Sequence, residues 1–181
     1  MSAVPPHSHG LHADVSVRPS VPEDAVHLGR IQVAAWQKAF AGVLPAAVLT
    51  GLEEHTFAEN WRAAIASPPS DKHRMLTACA GPAIVGFAAL APAPQTRETG
   101  EIVALEVDPP HTRQGHGSRL LAACTDILTE AGTTHVRAWA LEGDHTRADF
   151  LSAAGLEPLG IRRVLEIGGT QVNEDAWSAL L

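Results

Sequence analysis

Two groups of residues in this chain could do chemistry together. One is a glycine-bearing loop, Arg113-Gln114-Gly115-His116-Gly117-Ser118; the other is a pair of carboxylates just upstream, Glu101 and Glu106. A helix start leaves backbone N–H groups unsatisfied and carries roughly half a positive charge. Glycines at 115 and 117 remove the Cβ atoms that would hold a phosphate away from those groups. Arg113 adds a fixed fork of donors at the rim. The loop is therefore expected to hold a ligand that carries a pyrophosphate. The carboxylates suit proton transfer. Their separation is odd, so a regular strand puts them on opposite faces, and only a bulge would bring both to one cleft.

The elements that must position these groups are legible around them. Residues 101–107 alternate and are rich in β-branched types, as a strand prefers. Pro109 and Pro110 end that strand because neither can donate to a ladder. Leu120, Leu121, Cys124, Ile127, Leu128 and Ala131 then form one stripe of a helix, and Gly132 suits its close. Two other meanings of a glycine-rich helix start fail. A P-loop needs Gly-Lys-Ser/Thr, and Gly117 is followed by Ser118 and Arg119. A dinucleotide fingerprint wants a small residue where Leu120 stands and an acidic one where Trp139 and Ala140 stand.

Composition narrows the class. The chain has 181 residues, of which 45% are hydrophobic, enough for one domain with a real core. Residues 1–13 read as a flexible tail, whose three histidines make no metal site, and 14–181 as a single domain. A formal net charge of −7 argues against nucleic acid as a partner. Cys79 and Cys124 fall in apolar segments and read as buried thiols. No apolar run suggests a membrane span and no signal pattern opens the chain, so a cytoplasmic protein is expected.

The rest of the chain reads in order as follows. Asp14 to Arg18 is a strand, and Ser20-Val21-Pro22-Glu23 is a capping-box signature opening a helix to about Ala39. Trp36 and Phe40 lie on or close behind its apolar face. Residues 52–66 form a second helix. Arg74–Ala80 and Ile84–Leu90 form a hairpin around Gly81-Pro82. Thr134–Ala140 is a strand parallel to the central one. Asp144 caps a helix over 145–154. Leu156–Gly160 and Arg163–Ile167 read as a closing antiparallel pair, Gly168-Gly169 as a turn, and Asn173–Leu181 as a final helical turn.

The central stretch resembles the GNAT superfamily of acyl-CoA N-acyltransferases. The resemblance rests on Leu105-Glu106-Val107-Asp108-Pro109 followed by Arg113-Gln114-Gly115-His116-Gly117-Ser118. It implies an α/β (α+β) fold: a mixed, mostly antiparallel twisted sheet of about seven strands flanked by about four helices. It implies acetyl-CoA as co-substrate, with no metal. Loop residues 113–118 would grip its pyrophosphate, and Val107 would run beside its pantetheine arm. Asp144 stands where the family often has an Asn, which adds it to the cofactor-binding candidates. Trp36 and Phe40 belong to elements that wall the acceptor site, for a small-molecule or peptide amine. A homodimer is a candidate assembly.

The resemblance also sharpens the carboxylate question. Glu101 stands where histone-type members carry their base, and Glu106 where others place an acceptor-site side chain; Glu101 is slightly preferred. The tyrosine that commonly protonates the departing thiolate is Leu151, so water or the Ser152 hydroxyl would serve. Two alternatives stay open: an acyl-CoA-binding regulatory module without turnover, and a nucleotide-binding protein of another fold.

Overall fold

The computed structural model describes residues 15–94 and 96–181; the N-terminal tail and Gln95 lie outside it. Seven strands form one sheet: β1 (Val15–Pro19), β2 (Arg74–Ala80), β3 (Ala83–Pro92), β4 (Thr99–Val107), β5 (His135–Leu141), β6 (Glu157–Ile167) and β7 (Thr170–Leu180). Their order is β1-β2-β3-β4-β5-β7-β6. Every neighbouring pair is antiparallel except β4 and β5, which are parallel as a strand–helix–strand crossover requires. The α-helices are α1 (Ala25–Ala39), α2 (Ala46–Thr50), α3 (Glu54–Ala66), α4 (His116–Glu130) and α5 (His145–Ala153).

Two apolar layers hold the helices to the sheet. On one face, Leu120, Leu121, Cys124 and Leu128 of α4, with Leu151 of α5, pack on Ala88, Ile102, Leu105 and Val136. On the other face, Leu28 and Ile31 of α1 pack on Phe87, Ala89 and Ala104, with Trp61 of α3 behind. Gly29 lets α1 and α3 touch: a Cβ there would come within 2.5 Å of the Glu54 carbonyl oxygen. Cys79 and Cys124 are buried free thiols, and burial pushes the Cys124 thiol up to about 12.

Several expected elements change. The cap of α1 is not Ser20, whose hydroxyl instead pairs with Thr77 Oγ1 at 2.8 Å. The reciprocal bond comes from one residue further on, where Asp24 Oδ2 accepts the Val21 N–H at 3.0 Å. The short α2 follows the loop after α1 and was not expected. The segments around 156–167 are not two strands paired with each other but one strand, β6, which pairs with β7. Gly160, at φ 74°, lets β6 leave its ladder locally rather than end. Asn173–Leu181 is not helical. All of it but Leu181 lies within β7, held between β5 and β6, and its carboxylates meet cross-strand arginines: Asp175 opposite Arg162, Glu174 opposite Arg163. Pairing on both edges overrides the weak strand preference of Asn-Glu-Asp.

Candidate active site

The site grows out of one irregularity in β4. Ala89 of β3 faces Ala104, but Leu90 faces Ile102, so Val103 has no partner and loops out at 45% exposure. This bulge changes the parity of the strand. Glu106, opposite Phe87, points to the α1 side, where Trp36 Nε1 donates to its Oε1 at 3.3 Å. Glu101 reaches the same side, where it meets Trp139, a β5 neighbour of Leu141; Leu141 itself packs on Phe40 and Leu44 after α1. The two carboxylates therefore share a face, through the one device that could put them there.

Their surroundings differ. Glu101 is 5% exposed and saturated. Its Oε2 accepts from Arg137 Nε at 3.1 Å and Nη2 at 2.7 Å; its Oε1 accepts from Trp139 Nε1 at 2.8 Å and Arg163 Nη1 at 3.3 Å. Arg163 also lies over the Trp139 ring, 4.0 Å from its centre. These side chains form one wall of a 660 Å³ cavity rimmed by Pro94, Leu159 and Ile161. Glu106 is half-buried and takes one hydrogen bond, from Trp36. Burial pushes its carboxyl above the usual range, with Asp144 and Glu174 adding to the rise; Arg147 and the Trp36 bond only moderate it.

Between β4 and β5 the sheet opens. Their ladder runs from Thr99↔His135 to Ile102↔Ala138 and stops, although both strands continue. The Asp108 N–H bonds the Val85 carbonyl on β3 at 2.8 Å. Backbone groups alternate along a strand, so the Val107 N–H points the other way, into the opening. The Arg147 guanidinium of α5 bridges this gap: Nε donates to the Trp139 carbonyl at 2.6 Å and Nη1 to the Leu105 carbonyl at 3.0 Å.

At the end of the opening lies the glycine loop. Asp108 is buried and gripped by Arg30 of α1 through bonds of 2.7 and 3.2 Å, which fixes the strand end. Gly115 adopts φ 82°, a left-handed conformation that suits glycine. The first bond of α4 is Arg119 N–H to the Gly115 carbonyl. The N–H groups of His116, Gly117 and Ser118 thus have no backbone partner among the described residues. A Cβ on Gly117 would make only ordinary contacts, 3.5 Å from the Phe150 ring. The protein has room for a side chain there, and the bare backbone leaves that room to a ligand. Open N–H groups, a left-handed glycine and a missing Cβ fit a diphosphate.

The other expected residues divide. Arg113, Gln114 and Ser118 are exposed on the loop, and Gln114 Nε2 bonds the Pro110 carbonyl at 3.3 Å. His116 is 3% exposed, and burial lowers its imidazole's affinity for a proton; what it offers the loop is its backbone N–H. Asp144 caps α5, accepting the Arg147 N–H at 3.0 Å. Trp36 lies between Phe40 and Phe57, each 5.5 Å away, and touches Glu106. Phe40 is 6% exposed and belongs to the core. Ser152 is exposed on α5, next to Leu151, which is buried against the sheet. Arg137, Trp139, Arg163 and Arg147 were missed, because only tertiary placement joins them to the carboxylates and the gap. Among the described residues no three His, Cys, Asp or Glu cluster as metal ligands, and no helix is long and apolar enough to cross a membrane.

An opened parallel pair with a phosphate-ready helix start suits a ligand with an extended arm and a diphosphate, and comparison with known proteins gives the class. The profile of the Acetyltransferase (GNAT) family matches residues 35–155, and the chain belongs to that family. The chain is 25% identical over 130 residues, 71% of its length and 72% of the relative's, to the uncharacterized N-acetyltransferase YuaI of Bacillus subtilis. Its fold is similar to the PaiA N-acetyltransferase of Thermoplasma acidophilum in complex with coenzyme A (TM-score 0.71, 18% identity, covering 90% of this chain and 98% of that one). It is also similar to YncA of Salmonella typhimurium, solved with acetyl-CoA (TM-score 0.68, 14% identity, 93% and 94%). The protein is an acetyltransferase with the expected mixed sheet, flanked by five α-helices among the described residues.

Proposed function

We propose that residues 14–181 form one domain that moves an acetyl group from acetyl-CoA to a primary amine by direct attack. Neighbours with coenzyme A or acetyl-CoA bound support the donor. The observation that carries the reading is the opening between β4 and β5: one end meets the unpaired N–H groups of residues 116–118, and its side meets the half-buried Glu106.

Loop residues 113–118 hold the donor's diphosphate. Its arm lies along Val107, whose N–H is free to receive the carbonyl oxygen as negative charge develops. An amine of pKa about 10.4 is charged at pH 7, and removing its proton costs about 4–5 kcal/mol. Glu106 takes that proton: it has one hydrogen bond to give up, and burial has raised its affinity for a proton. The amine then attacks the thioester carbon, the C–N bond forms, the C–S bond breaks, and the thiolate leaves with its electron pair. Glu101, slightly preferred on the family resemblance, is the poorer base because four hydrogen bonds occupy its oxygens; we assign it to shaping the cavity wall through Trp139, Arg137 and Arg163. Trp36 positions Glu106, and Phe40 supports Trp36 from the core.

The experiment is thiol release from acetyl-CoA against a panel of amines, with wild type and Glu106→Gln. The variant is expected to lose about 10²–10³-fold in kcat/KM while keeping its affinity for coenzyme A. Binding of acetyl-CoA without turnover on any amine would favour a non-catalytic acyl-CoA-binding module instead.

A further inference from the structure

Among the described residues, six arginines are at least partly buried: Arg18, Arg30, Arg62, Arg137, Arg147 and Arg163. Five have a carboxylate oxygen within 4 Å; Arg147 does not. Its Nε and Nη1 are spent on the carbonyls of Trp139 and Leu105, on opposite sides of the opening, and its Nη2 makes no hydrogen bond among the described residues. A half-buried cation without an ion pair is a costly arrangement unless an anion is expected there. Glu106 attracts the Arg147 cation only through space, without an ion pair within 4 Å, and burial raises the Glu106 carboxyl above its ordinary range.

Resting on the reading above, we propose that Arg147 is a catalytic residue of the transfer: its guanidinium, free at Nη2, stabilises the thiolate that leaves as the C–S bond breaks. The position suits the role. Leu151, where the resemblance calls for a tyrosine acid, is 2% exposed and apolar. Arg147 lies one helical turn earlier on the same face of α5, and its side chain ends between the strands that flank the thioester arm. A guanidinium keeps its proton at working pH, so it replaces acid catalysis with charge matching. The electron pair of the C–S bond goes to sulfur, the sulfur's charge is offset by Arg147, and the proton taken from the amine by Glu106 returns through water to the thiolate. The exposed Ser152 is not needed.

The test follows the ionisation of coenzyme A bound to the protein by the ultraviolet absorbance of its thiolate, in wild type, Arg147→Gln and Arg147→Lys. Gln keeps a donor for the bridging bonds without charge, and Lys keeps the charge. The expected result is a bound thiol that ionises about one pH unit or more lower in wild type and Arg147→Lys than in Arg147→Gln. A fall of about 10–100-fold in kcat for Arg147→Gln accompanies it. Desulfo-coenzyme A, which lacks the thiol, should bind all three within about threefold. Equal thiol ionisation in wild type and Arg147→Gln overturns the proposal. So does a loss of desulfo-coenzyme A affinity in Arg147→Gln as large as the loss for coenzyme A, which would mean that the side chain holds the arm or the strands. Failure of wild type to bind either ligand would instead strike the acetyltransferase reading itself, and the proposal with it.

Discussion

The two ends of the β4–β5 pair teach different things about the same kind of residue. At the paired end, Glu101 is more buried, yet every lone-pair direction has a donor and three cationic or aromatic side chains enclose it. At the open end, Glu106 and Arg147 are half-buried, each short of partners, and separated by backbone whose ladder has stopped. A saturated buried charge holds structure together; an under-satisfied one costs stability and is kept for something that arrives later. Burial alone does not mark a functional carboxylate; the partners it lacks do.

The comparison breaks most visibly at the paired end. Glu101→Ala leaves Arg137 buried without its carboxylate and should destabilise the fold by about 3–5 kcal/mol. Urea denaturation would show this. Activity per folded molecule should fall by less than for Glu106→Gln, and the reverse ranking would overturn the division of roles.

At the open end the expected effects are smaller and fall on ligands. Gly117→Ala places a Cβ where the protein makes only ordinary contacts, so the variant should melt at or slightly above the wild-type temperature. Its affinity for coenzyme A should drop about tenfold, because the methyl group meets the diphosphate. Calorimetry that found unchanged affinity would remove the loop from the site.

Glu106 also makes a pH prediction. Its folded-state affinity for a proton is raised above the unfolded value, so the fold pays for ionising it above the raised pKa, and this penalty fades as pH falls towards the ordinary carboxyl range. Glu106→Gln should therefore melt higher than wild type at pH 8, with the gap closing near pH 4. A gap that widens on acidification would show the sign to be wrong. In wild type the rate should rise with pH through the same raised pKa. The smallest effect is at the cap: Asp144→Ala should cost about 1 kcal/mol, with a loss of activity only as far as α5 carries Arg147 into the gap.

What was legible in the sequence was what short-range chemistry encodes. Pro109, Gly115, Gly117, the apolar stripe of α4 and the cap at Asp144 act within a few residues of themselves, and each stands as expected. The carboxylate pair was legible as a condition: odd spacing with one shared cleft demands a bulge. Which residue loops out depends on the register with β3, so Val103 could not be named. Asn173-Glu174-Asp175 read as non-strand because the arginines that answer its charges come from another part of the chain. Gly160 read as a strand end because a left-handed glycine looks alike at a stop and at a bulge. Arg147 carried no signal; its partners Leu105 and Trp139 reach it only through the fold.

Val103 sets a phase for everything before it. Had that residue taken a place in the ladder instead of looping out, as one more residue in β3 opposite it would allow, Thr99–Ile102 would be turned half a pleat over. Gly100, which lies where Leu128 would collide with any Cβ, would exchange sides with Glu101, and a carboxylate would be driven into the oily layer under α4. The catalytic arrangement and the soundness of the opposite core therefore hang on one residue left out of the ladder.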